Sequence, residues 1–329
     1  MLKKTISLIL VMFFLFNLGF LVFAQEKIEP KYTFYDVFWD AQDPNLAWFT
    51  KGAEDFMKRY PEVRVEVVAA EKWDANIYLE TLETILAKKP DGLVICVVDP
   101  VAIDESMRSA IAKGIPVIQA TLADYRTDAP KYLTYMGGDE YLAGKVLGER
   151  LLKEIKPKHV VTCMTHLGHA GAEMRAKGME DAVKETGSKF DKLALGTEPS
   201  GAKEVLTAYL MANQDVDAIF TTTTVGTPWI YSVMKDLERT DIKLITVDAS
   251  PCALEGIIAG KVLATFSQGF YAQATMPYEW LFYYLEYGIK PPPTILTGPI
   301  VVDETNVMKF KKTVTSVFGE KFYNEITMW

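Results

Sequence analysis

The chain has 329 residues, of which 49% are hydrophobic and 24% are charged, with 21 Gly, 16 Pro and 3 Cys. This ordinary globular composition excludes a disordered, collagen-like or disulfide-scaffold protein, and the length predicts two domains. The chain carries 35 Lys and Arg against 43 Asp and Glu, a formal net charge of −8. An acidic surface of this kind repels a phosphate backbone, so we expect no nucleic acid as a partner.

The first 24 residues differ in composition from the rest of the chain. Lys3 and Lys4 precede an almost wholly apolar run over residues 6–23, and Ala24 comes directly before the polar Gln25. This order is typical of a secretory signal peptide that is cleaved after a small residue, and it predicts export to the periplasm. The apolar run is also long enough for an uncleaved membrane anchor, which is the alternative. The absence of a cysteine near the cut argues against a lipoprotein.

Strands and helices are predicted to alternate along the whole mature chain. Short β-branched runs predict strands, and longer segments with apolar residues at helical spacing predict helices. Strands are predicted at residues 32–38, 64–69, 92–98, 116–119, 159–164, 192–196, 218–222 and 243–247. Helices are predicted at residues 46–60, 75–88, 103–113, 141–155, 171–186, 203–213 and 228–238.

This βα alternation requires parallel sheets with helices on both faces, because parallel strands need crossover connections. The chain contains more βα units than a single sheet usually holds. We therefore predict an α/β fold with two doubly wound parallel-sheet lobes that change near Gly137 and Gly138. In open sheets of this kind, ligands bind at the carboxyl ends of the strands. The segments that follow strands are residues 39–43, 99–100, 121–124, 165–169, 223–224 and 248–250.

The familiar sequence signatures of enzymes are absent from the chain. It has no phosphate-binding loop, no dinucleotide-binding glycine motif after a strand, no nucleophile elbow and no HExxH or paired CxxC motif. We therefore predict neither catalytic activity nor a cofactor. His166 and His169 form a close pair in a predicted loop, but no obvious third ligand completes a metal site. A hydrogen bond to a ligand and a plain loop role remain as alternatives for them.

The cysteines and the third histidine are expected to be structural. Cys96 and Cys163 lie inside apolar runs, and with Cys252 they make an odd number in an oxidising compartment. Because a free thiol behaves as a small hydrophobic group, we predict that these cysteines belong to the core. His159 begins a strand after Pro157, and we expect it to face solvent.

Several short motifs resemble those of a known family. Asp43-Pro44-Asn45-Leu46, followed by Gly52-Ala53, resembles the Asn-Pro-Phe-Phe…Gly-Ala opening of ribose-type periplasmic sugar-binding proteins. In their order and spacing over residues 31 to about 305, the motifs are together similar to the type I periplasmic solute-binding proteins of ABC importers. The five further motifs are Lys113 to Ile118, Gly138 to Lys145, Arg175 to Met179, Val247 to Pro251 and Ala264 to Gln268.

The resemblance implies a domain organisation. Members of that family have two lobes joined by three crossover segments, and one small solute binds in the cleft between the lobes. Residues 31–137 and 270–297 would form the amino-terminal lobe, and residues 138–269 and 298–329 the carboxyl-terminal lobe. The tail from Asp303 extends past the family's usual end, and we expect it to form a helix that packs across the hinge.

The resemblance also implies ligand-binding residues, each with a structural alternative. Asp248 ends a strand within a family motif, although it could instead cap the following helix. Arg175 offers five donors to hydroxyls or a carboxylate, or else forms a surface salt bridge. Asp99 follows a strand and could equally serve the turn before Pro100. The full set of expected ligand-binding residues is Trp39, Asp43, Asn45, Asp99, Thr121, His166, Arg175, Thr223, Asp248 and Gln268.

The sequence departs from the ribose-type pattern at the positions that stack on the sugar. Asn45 and Leu46 stand in place of two stacking Phe residues. Stacking would then come from Trp39, Trp48 or Trp229. We favour Trp39, because it ends a strand, and expect Trp48 in the core. These changes leave the expected fold intact but leave the identity of the solute open.

The expected function is capture of a monosaccharide or polyol, with closure by hinge bending and delivery to the permease of an ABC transporter. Acid-rich strand ends favour such a neutral polyhydroxy compound over an anion. We expect a monomer. A periplasmic sensor that presents a small signal molecule to a membrane receptor remains an alternative. A sugar-responsive repressor would need a DNA-binding motif where the signal sequence lies, and a glycosidase would need a marked proton donor.

Overall fold

The computed structural model describes residues 29–166 and 168–326, and the predicted signal peptide over residues 1–24 lies outside them. The strands are β1 (Tyr32–Phe38), β2 (Val63–Ala69), β3 (Gly92–Ile95), β4 (Val117–Thr121), β5 (Thr134–Gly138), β6 (His159–Met164), β7 (Lys189–Ala194), β8 (Ala218–Thr221), β9 (Lys243–Ile245), β10 (Thr265–Ser267), β11 (Thr294–Gly298) and β12 (Ile300–Val302). The helices are α1 (Leu46–Arg59), α2 (Ala75–Ala87), α3 (Asp104–Ala112), α4 (Glu140–Glu154), α5 (Ala170–Val183), α6 (Pro199–Ala212), α7 (Gly226–Asp236), α8 (Pro251–Ile258), α9 (Phe270–Gln273), α10 (Met276–Tyr287) and α11 (Val307–Ile326).

A six-stranded parallel sheet with strand order β11-β5-β4-β3-β1-β2 forms the amino-terminal lobe. Strand β3 is buried along its whole length, because helices cover both faces of the sheet. One apolar cluster, around Phe34, Phe56 and Tyr278, packs the sheet against α1 and α10. A second, around Leu82 and Met107, packs it against α2 and α3.

A four-stranded parallel sheet with strand order β7-β6-β8-β9 forms the carboxyl-terminal lobe. An isolated bridge between Ile245 and Ala264 extends this sheet, and β10 pairs antiparallel with β12 beside it. Apolar clusters again cover both faces, one around Leu206 and the other around Leu147. The predicted α/β fold with two doubly wound lobes is confirmed.

The chain passes between the two lobes three times. The passages lie between β5 and α4, between β10 and α9, and between β11 and β12. The first of them follows Gly138, where the sequence predicted the change of lobe. The sheet to which a strand belongs shows in which lobe it lies. The exact residue boundaries of the two lobes remain a prediction.

Helices α4 and α5 approach each other closely at two glycines of the sequence motifs. A Cβ atom on Gly144 would lie 1.8 Å from the carbonyl oxygen of Arg175, and one on Gly178 would lie 2.1 Å from that of Tyr141. Any other side chain would therefore force the helices apart. The approach of α5 to α4 brings Arg175 into the buried space between the lobes.

The core thiols are as predicted, whereas the expectation for His159 is wrong. Cys96, Cys163 and Cys252 are buried and form no disulfide bonds. The side chain of His159 is fully buried, with Nε2 2.9 Å from Oδ2 of Asp191 and Nδ1 3.2 Å from Oδ1 of Asp215. The hydrogen bond between Nε2 and Asp191, which a local sequence pattern does not reveal, compensates part of the cost of burying the ring.

The tail forms α11, two helical segments that meet at the non-helical Gly319 (φ = 86°), and it contacts both lobes. Oε1 of Glu255 in α8 accepts hydrogen bonds from Nζ of Lys311 at 2.7 Å and from the hydroxyl of Tyr323 at 2.8 Å. The ring of Phe318 meets the indole of Trp48 in α1 edge to face, with centroids 4.5 Å apart. Trp48 is half-buried at this junction between the lobes, where it packs against the edge of both cores.

Candidate ligand-binding site

A cavity of about 50 Å³ lies between the lobes, near the carboxyl ends of their strands. This is the position at which open α/β sheets bind ligands. Nine of the ten expected ligand-binding residues line it: Trp39, Asp43, Asn45, Thr121, His166, Arg175, Thr223, Asp248 and Gln268. The other lining residues are Trp73, Cys96, Leu122, His169, Thr224, Val225 and Phe270.

Asp248 is the centre of a buried hydrogen-bond cluster in this cavity. Its Oδ1 accepts from Nε2 of Gln268 at 2.6 Å. Its Oδ2 accepts from the hydroxyl of Thr224, and Nδ2 of Asn45 lies 3.4 Å from the same oxygen. Because Asp248 is only 4% exposed, its carboxylate depends on these donors for stabilisation. Three residues from two lobes therefore converge on one carboxylate.

The backbone at Asp248 adopts an uncommon conformation that aims its side chain at the cluster. Asp248 has φ = 66°, and Thr121, at the end of β4 in the other lobe, has φ = 69°. Positive φ is rare outside glycine and is concentrated at functional sites. Helix α8 is capped by Ser250, whose hydroxyl oxygen accepts from the backbone N of Ala253. The capping role considered for Asp248 thus belongs to Ser250.

Arg175 reaches the cavity from α5 and is held by a buried ion pair. Its Nε donates to Oε2 of Glu140, and its Nη1 donates to the carbonyl oxygen of Thr222 at 2.8 Å. Burial raises the pKa of Glu140, and the adjacent guanidinium opposes this shift. The surface salt bridge considered for Arg175 is therefore wrong, because both partners are buried.

Asp43 organises the loop between β1 and α1. Its Oδ1 accepts from the backbone N of Asn45, and its Oδ2 accepts from Nε1 of Trp39, both at 2.8 Å. Desolvation raises the pKa of Asp43 to about 6, against the opposing effect of these two hydrogen bonds. The indole of Trp39 stacks on Phe38, with ring centroids 3.8 Å apart. The loop thereby holds an aromatic ring at the wall of the cavity.

Trp73 is a lining residue that the sequence reasoning missed. Its indole lies parallel to the imidazole of His169 in the other lobe, with centroids 4.7 Å apart and an interplanar angle of 5°. Burial and the nearby Arg175 lower the pKa of His169 to about 3, so the stacked imidazole is neutral at pH 7. Trp73 follows β2, and the rule that pointed to the other strand ends could have found it.

Hydroxyl groups and a histidine complete the polar wall. Oγ1 of Thr165 lies 2.8 Å from Nδ1 of His166 and 2.5 Å from Oγ1 of Thr223. The hydroxyl of Thr121 donates to Oε1 of Gln273 at 2.8 Å. Burial lowers the pKa of His166, which favours its neutral form. These hydroxyls and the neutral His166 therefore offer uncharged donors and acceptors beside Arg175 and the carboxylate of Asp248.

Asp99 has a structural role instead of a place in the cavity wall. Its Oδ1 accepts from the backbone N of Val101 at 2.8 Å and from that of Ala102 at 3.0 Å. This is the turn role that the sequence left open before Pro100. Short side chains after a strand commonly satisfy the next backbone donors in this way.

Within residues 29–166 and 168–326, no helix is long and apolar enough to cross a bilayer. Nor do the same ranges contain three or more His, Cys, Asp or Glu side chains placed to hold a metal ion. The pair of His166 and His169 therefore has no third protein ligand there.

Known proteins share this architecture and its motifs. A family model described as a periplasmic binding protein domain matches residues 34–290. The chain belongs to this periplasmic binding protein family. The six motifs indicated a resemblance to the sugar-binding members that serve ABC transporters. These matches confirm that resemblance.

Individual members of the family are distant from this chain in sequence. The xylose/arabinose-binding protein XylF of Sulfolobus acidocaldarius is 24% identical over 260 residues, which cover 73% of this chain and 63% of that protein. The match thus spans less than two thirds of the relative's length. A periplasmic sugar-binding protein of an ABC transporter from Legionella pneumophila superposes with a TM-score of 0.77 at 23% identity, covering 82% of this chain and 100% of that one.

A second solved structure has the same fold. The carbohydrate transporter from Acidothermus cellulolyticus, in complex with myo-inositol, superposes with a TM-score of 0.78 at 22% identity. The superposition covers 89% of this chain and 99% of that one. At such low identities the two structures establish the shared two-lobed fold, and the solute of this chain has to be argued from its own residues.

Proposed function

We propose that this protein captures a small polyhydroxy solute, a monosaccharide or polyol, between its lobes and delivers it to the permease of an ABC transporter. The observation that carries the proposal is the cluster of Asp248, Gln268, Asn45 and Arg175 at one interlobe cavity. Carboxylate, amide and guanidinium groups together accept from and donate to several hydroxyls at once. A sugar or polyol presents just such a set of hydroxyls with no net charge.

The flat apolar part of a sugar has partners in the same cavity. Trp39 lines it from the amino-terminal lobe, and Trp73 does so beside His169. Aromatic faces pack well against the C–H groups of a sugar ring, while the polar groups around them fix its orientation. These rings take the place of the two stacking phenylalanines that the sequence lacks.

An unpaired acceptor also supports this proposal. Oε1 of Gln268 is buried and has no hydrogen-bond partner in the described part of the chain. A buried acceptor without a partner costs about 1–3 kcal/mol, and a hydroxyl that donates to it would remove that cost. The 3.4 Å separation of Asn45 Nδ2 from Asp248 Oδ2 exceeds the usual length of about 2.9 Å, so a hydroxyl can replace this weak contact.

The proposal includes a closing motion. A solute that touches both lobes gains all of its contacts only when the lobes are together, so it shifts the population towards the closed state. The three passages of the chain between the lobes would serve as the hinge. We propose that the mature protein does this as a periplasmic monomer after removal of residues 1–24, with no catalytic step.

A thermal-shift screen tests the proposal directly. The panel contains pentoses, hexoses, inositols and nucleosides, with D-xylose, L-arabinose and myo-inositol first because relatives are named for or hold them. A ligand at 100 times its dissociation constant stabilises the folded chain by about 2.7 kcal/mol. Calorimetry then tests whether each compound that raises the unfolding temperature binds to the protein. An unfolding temperature that responds to none of these compounds contradicts the proposal.

Delivery is tested by measuring uptake of the same solute in cells that lack the protein. If these cells take up the solute normally but no longer respond to it, the sensor alternative is favoured.

A further inference from the structure

A second and larger cavity lies between the lobes, beside the polar one. Its volume is about 320 Å³. The segment before and within α1 forms one wall, the amino-terminal ends of α7 and α8 form the opposite wall, and α11 closes it. Three aromatic rings line it: Trp48 from the amino-terminal lobe, Trp229 from α7 and Phe318 from α11. A cavity of about 150 Å³ with apolar walls is already large enough for a benzene ring.

The two cavities share part of their walls. Asn45, Thr224 and Val225 line both of them. The side chain of Asn45 stands at this boundary, with Nδ2 3.4 Å from Oγ1 of Thr224 and 3.4 Å from Oδ2 of Asp248. Contacts of this length are weak, so a modest rotation of Asn45 joins the polar cavity to the second one.

The polar side chains of the second cavity are already engaged. Thr224 donates its hydroxyl to Asp248, and the amide of Asn45 lies against the same pair. The hydroxyl of Ser250 accepts from the backbone N at the start of α8, and Gln42 is exposed at the rim. The second cavity therefore offers few free groups to a hydroxyl, in contrast to the polar cavity with its unpaired Gln268 Oε1.

We propose that the second cavity is a subsite for an unhydroxylated apolar substituent, so that the solute is a glycoside with an aryl or alkyl group. The polar cavity of about 50 Å³ is too small for a sugar ring until the lobes open and Asn45 rotates; the sugar would then occupy it, and its substituent would pass Asn45 and lie between Trp48 and Trp229. This inference rests on the proposed sugar-binding function. Burial of apolar surface against these rings would add affinity, and a second sugar ring would lose hydrogen bonds to water without replacement.

Calorimetry with matched probes tests this subsite. For D-xylose, L-arabinose, D-glucose and D-galactose, we compare the free sugar, its methyl glycoside and its phenyl glycoside. We expect the phenyl glycoside of the bound sugar to bind at least about tenfold more tightly than the methyl glycoside. Trp229→Ala should abolish that preference and leave the methyl glycoside's affinity unchanged. The matched control, Trp280→Ala, alters a half-buried tryptophan of α10 and should keep the preference.

A second variant keeps the test decisive if Trp229→Ala does not fold. Ala47→Leu adds volume to the half-buried wall of the cavity in α1 with a helix-favouring residue, and it should weaken only the phenyl glycoside. If the free sugar binds but its phenyl glycoside binds no more tightly than its methyl glycoside, the proposed subsite is wrong. The proposed sugar-binding function is not contradicted by that result. A preference that survives both substitutions overturns the subsite as well. If no sugar or glycoside of this panel binds, the subsite fails; the proposed function fails as well only if the thermal-shift panel, with its inositols and nucleosides, gives no binding either.

Discussion

Nδ2 of Asn45 and Oδ2 of Asp248 lie 3.4 Å apart and join the two lobes across the polar cavity. The contact is long for a hydrogen bond, whereas Nε2 of Gln268 holds the other carboxylate oxygen at 2.6 Å. Gln268 and the hydroxyl of Thr224 thus hold both carboxylate oxygens of Asp248 from its own lobe, whereas the contact from Asn45 in the other lobe is weak. A solute hydroxyl can take the place of Asn45 without any rearrangement of Asp248.

Replacement of Asp248 should abolish most of the affinity for the solute. Asp248→Asn keeps the size of the side chain and tolerates the positive φ, but it replaces one acceptor with a donor. A hydrogen bond to a charged group contributes about 1.5–3 kcal/mol, so we expect a loss of about 100-fold in affinity by calorimetry. The control is Asp99→Asn, after β3 and outside the cavity wall, where Asn also serves the turn. Wild-type affinity in Asp248→Asn would remove Asp248 from the site.

The close approach of α4 and α5 makes a stability prediction. In Gly144→Ala, the new Cβ would lie 1.8 Å from the backbone oxygen of Arg175, so one helix has to move. Overpacking of this kind costs about 1–3 kcal/mol, and we expect a lower midpoint in denaturant and weaker solute binding, because Arg175 moves with α5. Gly201→Ala in α6 is the matched control. Its Cβ meets open space, and Ala should stabilise the helix by up to about 1 kcal/mol. Equal effects of the two substitutions would contradict this account.

The local elements of the fold follow closely from the sequence. Strand β1 has the predicted bounds, and α1 and β2 each differ from the prediction by one residue at one end. Alternating and helical hydrophobic patterns depend on neighbouring residues alone, so they can be recognised without knowledge of the tertiary structure. Strand β5, helix α8 and the later elements β10, α9, α10, β11 and β12 were not predicted. Strand β5 and helix α8 each contain or adjoin a glycine or proline that the local pattern assigns to a turn.

The sequence predicts those residues of the candidate site that lie at strand ends. It does not predict the contacts that form because the two lobes lie close together. Asp248 and Thr121 follow strands, and the structure brings both to one cavity. The stack of Trp73 on His169 joins loops of different lobes, and no local pattern encodes that distance. Asp99 was predicted to follow a strand directly, but β3 ends at Ile95, and the nearest backbone donors engage the carboxylate of Asp99. Strand-end position therefore selects candidates, and competition for hydrogen bonds decides among them.

A buried carboxylate in β1 makes the stability of the fold depend on pH. Asp36 is 2% exposed, and burial raises its pKa from 3.8 to about 7, although the hydroxyl of Tyr278 donates to it at 2.6 Å. The folded chain therefore binds this proton more tightly than the unfolded chain does. The free energy of unfolding should fall as pH rises from about 4 to about 7, by about 4 kcal/mol from this group alone.

Asp36→Asn tests this dependence, because the amide has no charged form to bury. Denaturant unfolding at pH 5 and at pH 8 should show a smaller loss of stability in Asp36→Asn than in the wild type. Asp236→Asn, at an exposed position of α7, is the control and should keep the wild-type dependence. An unchanged pH dependence in Asp36→Asn would show that Asp36 does not carry the effect.

Helix α11 connects closure of the lobes to the carboxyl-terminal tail. Its anchor on the carboxyl-terminal lobe is Glu255, which accepts hydrogen bonds from Lys311 and Tyr323. From this anchored helix, Phe318 reaches Trp48 of the amino-terminal lobe, with ring centroids 4.5 Å apart at an angle of 73°. Separation of the lobes would break this aromatic contact. In the proposed closing motion, it would therefore stabilise the closed state over the open one.

Loss of this contact should weaken solute binding without an equal loss of stability. An edge-to-face aromatic pair contributes about 0.5–1.5 kcal/mol, so Phe318→Ala should lower the affinity up to about tenfold. Phe310→Ala is the matched control, because Phe310 lies on the same helix but packs against the core of the carboxyl-terminal lobe alone. It should reduce the unfolding temperature and leave the affinity near the wild-type value. In a double-mutant cycle with Trp48→Ala, the two losses of affinity should be less than additive, because both remove one contact. Strict additivity, or the same loss in Phe310→Ala, would mean that α11 stabilises its own lobe and has no part in closure.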